Sequence, residues 1–355
     1  MNTLILPCAG KSSRFPNMKP KYMLTHPDGK LMIEKSIEKI NLDVFDRIII
    51  TIVKPHDDKH EAKLIMEQAF KDNPKVEICL LDDFTSSASE TIYLTLKKMN
   101  INGAFVIKDS DNRVEVNFEK EIKNSIIGYN LQDHPNVPNI PEKSFLIINE
   151  QGLIQDIIEK QVVSNVICLG IYCFENASDF IKAYEEMNIK KISGEMYISH
   201  IISYMLASNN YIFSSKMATS YDDWGTLSEW KKVQKSHRTY FVDIDGVLMK
   251  NCGKYGSHNW YNNKETIPEN MEVIRKLQNN GAQIVITTSR PEEFRKGLKN
   301  ILEENGINPC AILMGMNHAT RVIINDFAPT NPYPSGIAIT FPRNGCIKEY
   351  LNDTY

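Results

Sequence analysis

The stretch "LILPCAGKSSRF", residues 4–15, runs an apolar strand directly into a loop of small residues. Such a junction is typical of α/β proteins, whose parallel sheets present loops at the carboxyl ends of their strands. Gly10 lets the backbone turn freely, and the N–H groups that follow can converge on phosphate oxygens. Arg14 and, after Pro20, Lys21 add positive charge nearby. The stretch predicts a phosphate-binding loop, with a plain strand-to-helix turn as the simpler alternative.

The chain beyond this loop alternates apolar runs with helical patterns. Strands are predicted at "DRIIITIV", "VEICLL" and "GAFVIKDSD", with helices at "HEAKLIMEQAF" and "SETIYLTLKKM" between them. This order favours a parallel sheet covered by helices on both faces. "FLIINEQGLIQDIIEK" is interpreted as two strands joined by a turn, and "NVICLGIYCF" follows it. We expect this region to form a small antiparallel insertion over the sheet.

A second α/β series begins after a polar, charged stretch that ends near Ser236. "YFVDIDGVLMKN", residues 240–251, leads a strand into two acids one residue apart and then Gly246. Further strands are predicted at "AQIVITTSRP", "RVIINDFAP" and "GIAITF", separated by helical patterns. Because 355 residues exceed what one core usually supports, we predict two Rossmann-like three-layer α/β/α domains, residues 1–236 and 237–355.

The composition narrows the class of partner and the compartment. Charged residues make up 24% of the chain and the net charge is −3, which argues against nucleic acid or a membrane surface as a partner. The 7 cysteines are scattered without a CxxC pair, as is typical of a reducing compartment. Apolar stretches fall short of the roughly 20 residues of a membrane span, and the start lacks a basic leader. The sequence therefore predicts a cytoplasmic protein.

The motifs of the first half together resemble those of the sugar-phosphate nucleotidyltransferases. That family has a strand, a Gly-rich loop ending in Arg-Phe and then Lys-Pro-Lys-x-x-Leu, and this chain has "GKSSRF" followed by "KPKYML". The likeness continues in family order through "FVIKDSDN", "IIEKQ", "LGIYCF", "SGEMY" and "YDDWGTLSEW", over roughly residues 1–235. Departures such as Ser12 and Ser110 in place of Gly, and Gln161 in place of Pro, affect loop geometry more than charge.

The resemblance implies nucleotidyl transfer, in which a phosphate oxygen of an acceptor attacks the α-phosphorus of a nucleoside triphosphate and pyrophosphate leaves. Repulsion between two anions is the main obstacle, and Mg²⁺ held by Asp111 and Asp223 would offset it. Asp109 is the rival of Asp111 for this role. Arg14 and Lys21 would neutralise the triphosphate and the departing pyrophosphate. An acid–base residue is not required, because the attacking phosphate is already ionised.

Other residues are implied to contact the substrates. Lys160 of "IIEKQ" would hold the acceptor phosphate, and Glu195 of "SGEMY" would contact the sugar. The nucleotide-binding residues expected in the loop and in the serine-rich "SSASET" stretch are Leu6, Ala9, Gly10, Lys11, Ser12, Ser13 and Ser89. Lys19 is expected to be a solvated charge. Each residue taken singly has an ordinary alternative as a turn, cap or surface residue, and their combination favours the functional interpretation.

The second half resembles the haloacid-dehalogenase-like hydrolases. "DIDGVL" is similar to that family's first motif, in which the first acid, here Asp243, is a nucleophile that forms an aspartyl-phosphate. The second acid, Asp245, would protonate the leaving group and later activate water. "IVITTSRP" resembles the second motif, with Thr288 as the phosphate-binding hydroxyl. "RVIINDFAP" resembles the fourth, in which Asp326 would complete a Mg²⁺ site with Asp243.

This half also departs from its family. A lysine is missing from the place just before the last motif, so Arg321 and Lys296 are the candidates for its role, although a guanidinium does not strictly replace an ammonium. Asn325 stands where a second acid is usual. Asp243 and Thr288 lie 45 positions apart, which leaves too little chain for a large cap domain and predicts a capless fold. Such an open site accepts a bulky substrate or is closed by a neighbouring subunit of a homo-oligomer.

The two halves together predict a bifunctional enzyme that makes nucleotide-activated precursors for capsule or other surface polysaccharides. CTP is the favoured nucleotide, with UTP and dTTP left open, and the acceptor is a phosphorylated sugar, polyol, ketose or aminoalcohol. One alternative is a monofunctional nucleotidyltransferase whose second domain is structural, regulatory or an oligomerisation module. Another is a nucleotide-sugar sensor without turnover, against which the two intact sets of acids argue.

Overall fold

The computed structural model describes residues 1–133, 137–189, 194–208, 210–251, 260, 264–326 and 336–351. The chain forms two compact units, Met1–Glu229 and Trp230–Tyr355. The domain boundary was expected near Ser236, at the end of the helix Leu227–Ser236. The observed division, between Glu229 and Trp230, falls within the same helix. Over these described ranges, every helix is too short or too polar to cross a lipid bilayer.

Four parallel strands form one side of the first unit's sheet. They are β1 (Asn2–Pro7), β2 (Arg47–Val53), β3 (Val76–Leu81) and β4 (Ala104–Lys108). β1 pairs with β2 on one side and with β4 on the other. Leu4 and Leu6 pack into one core and Ile5 into a second, because successive side chains of a strand point to opposite faces. The sheet therefore has a core on each face, as its near-continuous apolar strands predict.

The remaining strands of this unit include antiparallel pairs. They are β5 (Asn112–Glu115), β6 (Ser125–Asn130), β7 (Ser144–Ile148), β8 (Ile154–Glu159), β9 (Val166–Phe174), β10 (Ser214–Met217) and β11 (Ser220–Asp223). Among the described residues, nine strands form one sheet in the order β10-β6-β9-β4-β1-β2-β3, with β7 joined to β9 and β8 to β7. β9 runs antiparallel to both β4 and β6.

The β7–β8 hairpin confirms the two strands and the turn expected there. Its expected position over the sheet was wrong, since β9 is long enough to pair with β4, β6 and β7 and thereby draws the hairpin into the sheet itself. β5 and β11 form a separate antiparallel pair in which Asp223 lies opposite Asn112. This pair brings the end of β11 beside the turn that follows β4.

Among the described residues, six α-helices lie wholly in the first unit and a seventh, the helix Leu227–Ser236, spans the division between the two units. They are α1 (Met32–Ile37), α2 (Lys54–His60), α3 (Ala62–Ala69), α4 (Ala88–Lys98), α5 (Ala177–Ile189), α6 (Ile198–Ala207) and α7 (Leu227–Ser236). The single helix expected at "HEAKLIMEQAF" begins after Glu61, whose left-handed φ of 54° separates α2 from α3. Phe105 of β4 stacks on Phe174 of β9 with ring centroids 4.9 Å apart, and Phe180 of α5 closes this part of the core.

The second unit is built on a three-stranded parallel sheet in the part that the structure describes. Its strands are β12 (Thr239–Asp243), β13 (Gln283–Thr287) and β14 (Ala311–Leu313), in that order. Its helices are α8 (Pro268–Asn279), α9 (Arg295–Glu304) and α10 (Lys348–Leu351). Both α8 and α9 are followed by a glycine with positive φ, Gly281 and Gly306, as expected for helices closed by glycine.

The strands expected at "RVIINDFAP" and "GIAITF" were wrong over their described parts. Residues 321–326 and 336–341 are not strands, and Val322 and Ile324 are 76% and 90% exposed. β-branched residues favour a strand only where a neighbouring strand pairs with them, and the described partner of β12 is β13. Residues 252–259, 261–263 and 327–335 lie outside the described residues, so the capless fold stays a prediction.

Candidate active sites

The turn after β4 is fastened by a buried lysine. The side chain of Lys108 is fully buried, and its ammonium donates to the carbonyl of Asp109 at 2.6 Å, the carbonyl of Asn112 at 2.9 Å and Asn112 Oδ1 at 2.5 Å. These three acceptors match the three N–H donors of an ammonium. The Asn112 amide in turn donates to the carbonyl of Leu169 at 3.1 Å. The turn that carries Asp109 and Asp111 is thus held at both of its ends.

The two acids of this turn face different neighbours. The carboxylate of Asp109 lies against Gly170, where an added Cβ would come within 2.0 Å of Asp109 Oδ2. Gly170 has a φ of +67° and accepts a hydrogen bond from the Asp109 N–H at 3.0 Å. Burial, reinforced by the charge of Asp111, raises the pKa of Asp109. The Asp109 carboxylate is therefore packed against β9 at Gly170.

Asp111 and Asp223 converge on one small space beside Gly225. An added Cβ at Gly225 would lie 3.2 Å from Asp111 Oδ2 and 3.1 Å from Asp223 Oδ1. The Gly225 N–H donates to Asp223 Oδ1 at 2.9 Å, and the Trp224 N–H donates to the Asp111 carbonyl at 2.9 Å. An added methyl group would be a tight fit here, because it would occupy the space that both carboxylates face.

The donors around this space suit a hard cation. Mg²⁺ is usually held by one or two carboxylates, with water and substrate phosphate at its other positions. Within the described ranges, no three His, Cys, Asp or Glu side chains cluster in a way that could hold a metal on their own. The pair Asp111 and Asp223 thus fits Mg²⁺ bound together with a phosphorylated substrate.

Three basic side chains surround the two carboxylates. Lys21 Nζ lies 2.6 Å from Asp111 Oδ2. Arg14 Nη1 would lie 3.8 Å from a Cβ added at Gly225, so it faces the same space. The Lys143 ammonium forms an ion pair with Asp223 Oδ2. Burial alone would raise the pKa of Asp111, but Lys21 and then Arg14 hold that pKa well below its ordinary value. Asp111 is therefore ionised, and a basic side chain lies against each of the two carboxylates.

The predicted phosphate-binding loop lies next to this cluster. Ser12 has a φ of 51°, and its Oγ accepts a hydrogen bond from the Lys21 N–H at 3.2 Å, which joins the loop to the lysine segment. The Thr85 N–H approaches the Ala9 carbonyl at 3.4 Å, so the serine-rich stretch adjoins the loop. The predicted loop residues divide into buried Leu6 and Ala9, half-buried Ser12, and exposed Gly10, Lys11, Ser13 and Arg14. Lys19 is exposed, as expected of a solvated charge.

The residues predicted to contact the substrates lie further out. The Lys160 ammonium bonds the Tyr197 hydroxyl at 3.1 Å, and the Lys160 N–H donates to the Lys143 carbonyl at 3.0 Å. Glu195 is exposed. Ser89 is buried, and its hydroxyl donates to the Met196 carbonyl at 2.5 Å. Lys160 is thus joined through its backbone to the lysine that contacts Asp223.

In the second unit, Asp243 ends β12 and Asp245 follows it in the loop. Asp245 receives two hydrogen bonds from Arg290, Nε to Oδ2 at 3.0 Å and Nη2 to Oδ1 at 2.6 Å. The Arg290 side chain is only 3% exposed. A planar guanidinium that donates two parallel bonds fixes both the position and the orientation of a carboxylate. Asp245 is therefore held in one orientation beside Asp243.

The remaining predicted residues of this unit are only partly brought together. Arg321 Nη2 lies 3.3 Å from Asp243 Oδ1, so the arginine expected in place of the usual lysine contacts the carboxylate that is predicted to be the nucleophile. Burial raises the pKa of Asp243, which Arg321 opposes. Thr288 is buried and its Oγ1 accepts from the Arg290 N–H at 3.1 Å. Lys296 and Asp326 are exposed, and the metal-ligand role of Asp326 stays a prediction.

Three basic residues of these sites were not predicted from the sequence. Lys143 and Arg290 contact acids 80 and 45 positions away, and their immediate surroundings do not distinguish them from surface residues. Lys108 carried a visible signal, because it is a charged residue that directly follows the apolar run "AFVI" of a buried strand. A charge at such a position is almost never buried unless it is paired.

Comparison with known proteins finds two different kinds of likeness in this chain. Residues 240–320 match the family model of the haloacid dehalogenase-like hydrolases, a range that includes Asp243, Asp245 and Thr288 and ends before Arg321. A nucleoside-diphosphate-sugar pyrophosphorylase from Vibrio cholerae RC9 has a similar structure, with a TM-score of 0.55 and 19% identity, over 65% of this chain and 98% of that chain. No curated protein matches the chain.

A UDP-glucose pyrophosphorylase complexed with UDP-glucose is also similar, with a TM-score of 0.51 and 14% identity, over 66% of this chain and 98% of its own. At such identities these likenesses show the fold of the first unit. The resemblances predicted for the two halves are confirmed at this level. The chain thus joins a unit with the fold of the sugar nucleotidyltransferases to a segment that matches the haloacid dehalogenase-like hydrolase family.

Proposed function

We propose that the first unit transfers a nucleotidyl group from a nucleoside triphosphate to a phosphorylated small molecule and releases pyrophosphate. The observation that carries this proposal is the convergence of Asp111 and Asp223 on the space beside Gly225, with Arg14 and Lys21 around it. Two carboxylates and several cations in one place are what a reaction between two phosphate anions requires. The sugar nucleotidyltransferase fold supports the same conclusion.

The residues of this site act by binding, orientation and charge. The acceptor phosphate oxygen forms a bond to the α-phosphorus while the bond to the bridging oxygen breaks, and pyrophosphate leaves with the electron pair. Arg14 and Lys21 bind the triphosphate and stabilise the charge of the leaving pyrophosphate. Lys160 aligns the acceptor phosphate for attack. A Mg²⁺ held by Asp111 and Asp223 would supply further charge neutralisation.

We propose CTP as the nucleotide and a phosphorylated sugar, polyol or aminoalcohol as the acceptor, in the cytoplasmic synthesis of surface-polysaccharide precursors. The support for CTP and for this pathway is the resemblance of the first-half motifs to the nucleotidyltransferase family. The fold itself accommodates other nucleotides, because one similar structure carries UDP-glucose. UTP and dTTP therefore belong in the same test.

We propose that the second unit is a phosphatase. The Asp243 carboxylate forms a bond to the substrate phosphorus as the ester bond breaks, and Asp245, after taking up a proton from solvent, passes that proton to the departing oxygen. Water then attacks the aspartyl-phosphate, Asp245 accepts its proton, and free phosphate leaves. The 3.3 Å contact between Arg321 and Asp243 supports this role, since it brings a permanent cation to the phosphate-accepting carboxylate.

The test is a screen of the full-length protein with Mg²⁺ for two products. Pyrophosphate release is measured with CTP, UTP, dTTP, GTP and ATP against a panel of phosphorylated sugars, polyols and aminoalcohols, and free phosphate is measured in parallel. Asp111→Asn should abolish pyrophosphate release and leave phosphate release intact. Asp243→Asn should have the opposite effect. Each variant thus serves as the folded control for the other.

Other outcomes would select the alternatives. Pyrophosphate release without any phosphate that depends on Asp243 would identify a monofunctional transferase whose second unit is structural or regulatory. Silence in both assays with every nucleotide and acceptor would refute catalysis and favour a binding protein.

A further inference from the structure

Lys143 is a cation of the first unit's site to which the resemblance assigns no role. It lies between the short 3₁₀ helix Ile140–Glu142 and β7, and its ammonium contacts Asp223 Oδ2 and, at 2.9 Å, the hydroxyl of Tyr221. The Lys143 and Asp223 side chains are only 16% and 7% exposed. The pair is therefore largely shielded from water, and a contact of this kind is screened less than one on the surface.

The other end of this residue reaches the acceptor side of the site. The carbonyl of Lys143 accepts the hydrogen bond of the Lys160 N–H at 3.0 Å. Lys160 has a left-handed φ of 54°, and its ammonium is directed to the Tyr197 hydroxyl. One residue thus contacts a proposed metal ligand through its side chain and the proposed acceptor-binding lysine through its backbone.

An ammonium and a divalent cation compete for the same carboxylate. Asp223 has two oxygens, of which Oδ1 accepts the Gly225 N–H and faces the shared space with Asp111, while Oδ2 carries Lys143. Mg²⁺ polarises a carboxylate more strongly than an ammonium does, because it carries twice the charge on a smaller ion. Metal binding at Asp223 therefore weakens the hold of that carboxylate on Lys143.

We infer that Lys143 is a further substrate-binding cation of this site, released from Asp223 when metal binds and then directed to the phosphate of the acceptor. This inference rests on the proposed nucleotidyl transfer. It implies that metal binding promotes acceptor binding in the first unit. Without metal, the Lys143 ammonium neutralises Asp223. With metal, the same ammonium becomes free to neutralise the acceptor phosphate. The ligand of Lys143 is thus the phosphate monoester of the acceptor rather than the nucleotide.

The test measures Mn²⁺ binding as well as activity. All variants are made in the full-length Asp243→Asn protein, so that the site of the second unit is impaired, and the dissociation constant of Mn²⁺ is measured by electron paramagnetic resonance without nucleotide. Lys143→Met removes the competitor and should tighten Mn²⁺ binding about threefold to tenfold. In the same variant the KM for the acceptor should rise about tenfold, while the KM for the nucleotide changes little.

The controls separate this role from simple loss of charge or of structure. Lys39→Met removes a lysine that pairs with Glu115 at 2.7 Å, on the same β5–β11 pair but away from Asp223, and should change neither constant. Lys143→Arg keeps the positive charge and should retain tight acceptor binding. Lys143→Gln keeps a polar side chain at Tyr221 and provides a second reading if Lys143→Met does not fold.

The outcomes distinguish this inference from the proposed function. If Lys143→Met and Lys143→Gln leave Mn²⁺ affinity unchanged or weaken it, Lys143 only supports Asp223 and the exchange is refuted. An unchanged KM for the acceptor also overturns it. If the parent protein releases no pyrophosphate at all, the proposed function fails, whereas the Mn²⁺ measurement still reports whether Lys143 competes for Asp223.

Discussion

The two units each carry an Asp-x-Asp sequence at the carboxyl end of a parallel strand, "DSD" at residues 109–111 and "DID" at residues 243–245. The first lies in a turn fastened by buried Lys108 and Asn112. In the second, one acid is held by Arg290 and the other has a side chain 36% exposed beside Arg321. Equal spacing of two acids therefore does not determine how they are used, since the surrounding cations and glycines decide where each carboxylate points.

The difference follows from where each strand ends. Residues two apart on an extended segment share a side, which favours the expectation that both acids of such a motif face one phosphate. β4 ends at Lys108, before its first acid, so the turn directs Asp109 to Gly170 and Asp111 toward Asp223. β12 includes Asp243, and Asp245 lies just beyond it. We therefore predict that the geometry of the first site is rigid, and that the orientation of Asp245 in the second site depends on Arg290 alone.

Lys108→Met should cause the largest loss of stability among these variants. If it does not, the contrast between a rigid first site and a less rigid second site is wrong. The variant leaves two buried carbonyls and the Asn112 oxygen without their donor, and we expect a loss of about 3–5 kcal/mol in local stability. Hydrogen exchange of peptides spanning 104–116 should accelerate, while peptides spanning 239–251 keep their wild-type rates. Lys35→Met is the matched control, because Lys35 is also buried and is paired with Asp28 and Glu38.

Exchange in 104–116 that is as fast in Lys35→Met as in Lys108→Met would show a general effect of removing a buried charge. Wild-type rates in Lys108→Met would show that the turn does not depend on its ammonium.

A matched pair of glycine variants tests the two sites directly. Gly170→Ala places a Cβ within 2.0 Å of the Asp109 carboxylate at a φ of +67°, and we expect it to cost about 2–4 kcal/mol. Gly246→Ala meets Arg343 Cγ at 2.9 Å, a flexible side chain that can move, and should cost about 1–2 kcal/mol at its φ of +95°. Local hydrogen exchange around each glycine measures both. Equal losses of stability in the two variants would contradict the prediction that the first site is the more rigid of the two.

The order of the first unit's strands and the presence of acids at the strand ends of both units could be predicted from the sequence, because these features rest on local patterns. The apolar runs of β1 to β4, the hairpin β7–β8 and the acid-containing strand ends are all visible without long-range information. The antiparallel direction of β9 and the contacts of Lys143 with Asp223 depend on pairings far apart in the chain. The expected strand at 321–326 shows the opposite error, since its β-branched run has strand propensity but forms no strand there.

Arg290→Lys tests whether the second site depends on the orientation of Asp245 by Arg290. Lysine keeps the charge but cannot donate two parallel bonds to Asp245, so the rate of phosphate release, kcat, should fall about tenfold with a smaller change in KM. Pyrophosphate release should stay unchanged. Arg295→Lys is the control, because Arg295 is paired with Glu292 on the surface. A rise in KM at unchanged kcat would mean that Arg290 binds substrate instead of positioning Asp245.

His56 gives the first unit a dependence on pH. It is buried, it lies 3.3 Å from the Tyr22 hydroxyl, and its ring packs edge-on against Phe84 with centroids 5.1 Å apart. Burial lowers the pKa of His56 from 6.5 to about 4. In the window between these values the unfolded state binds a proton that the folded state does not, so stability falls as the pH falls through 6.5 toward 4.

The first unit should therefore lose about 1–2 kcal/mol of stability between pH 7 and pH 5 through this group. His56→Gln keeps a polar side chain at this position but does not titrate, so the part of the loss that is due to His56 should vanish in this variant. The measurement is hydrogen exchange of peptides spanning 47–60 at both pH values, with peptides spanning 268–279 of the second unit as an internal reference. If the wild type and His56→Gln respond to pH alike, the burial of His56 does not set the acid sensitivity of the first unit.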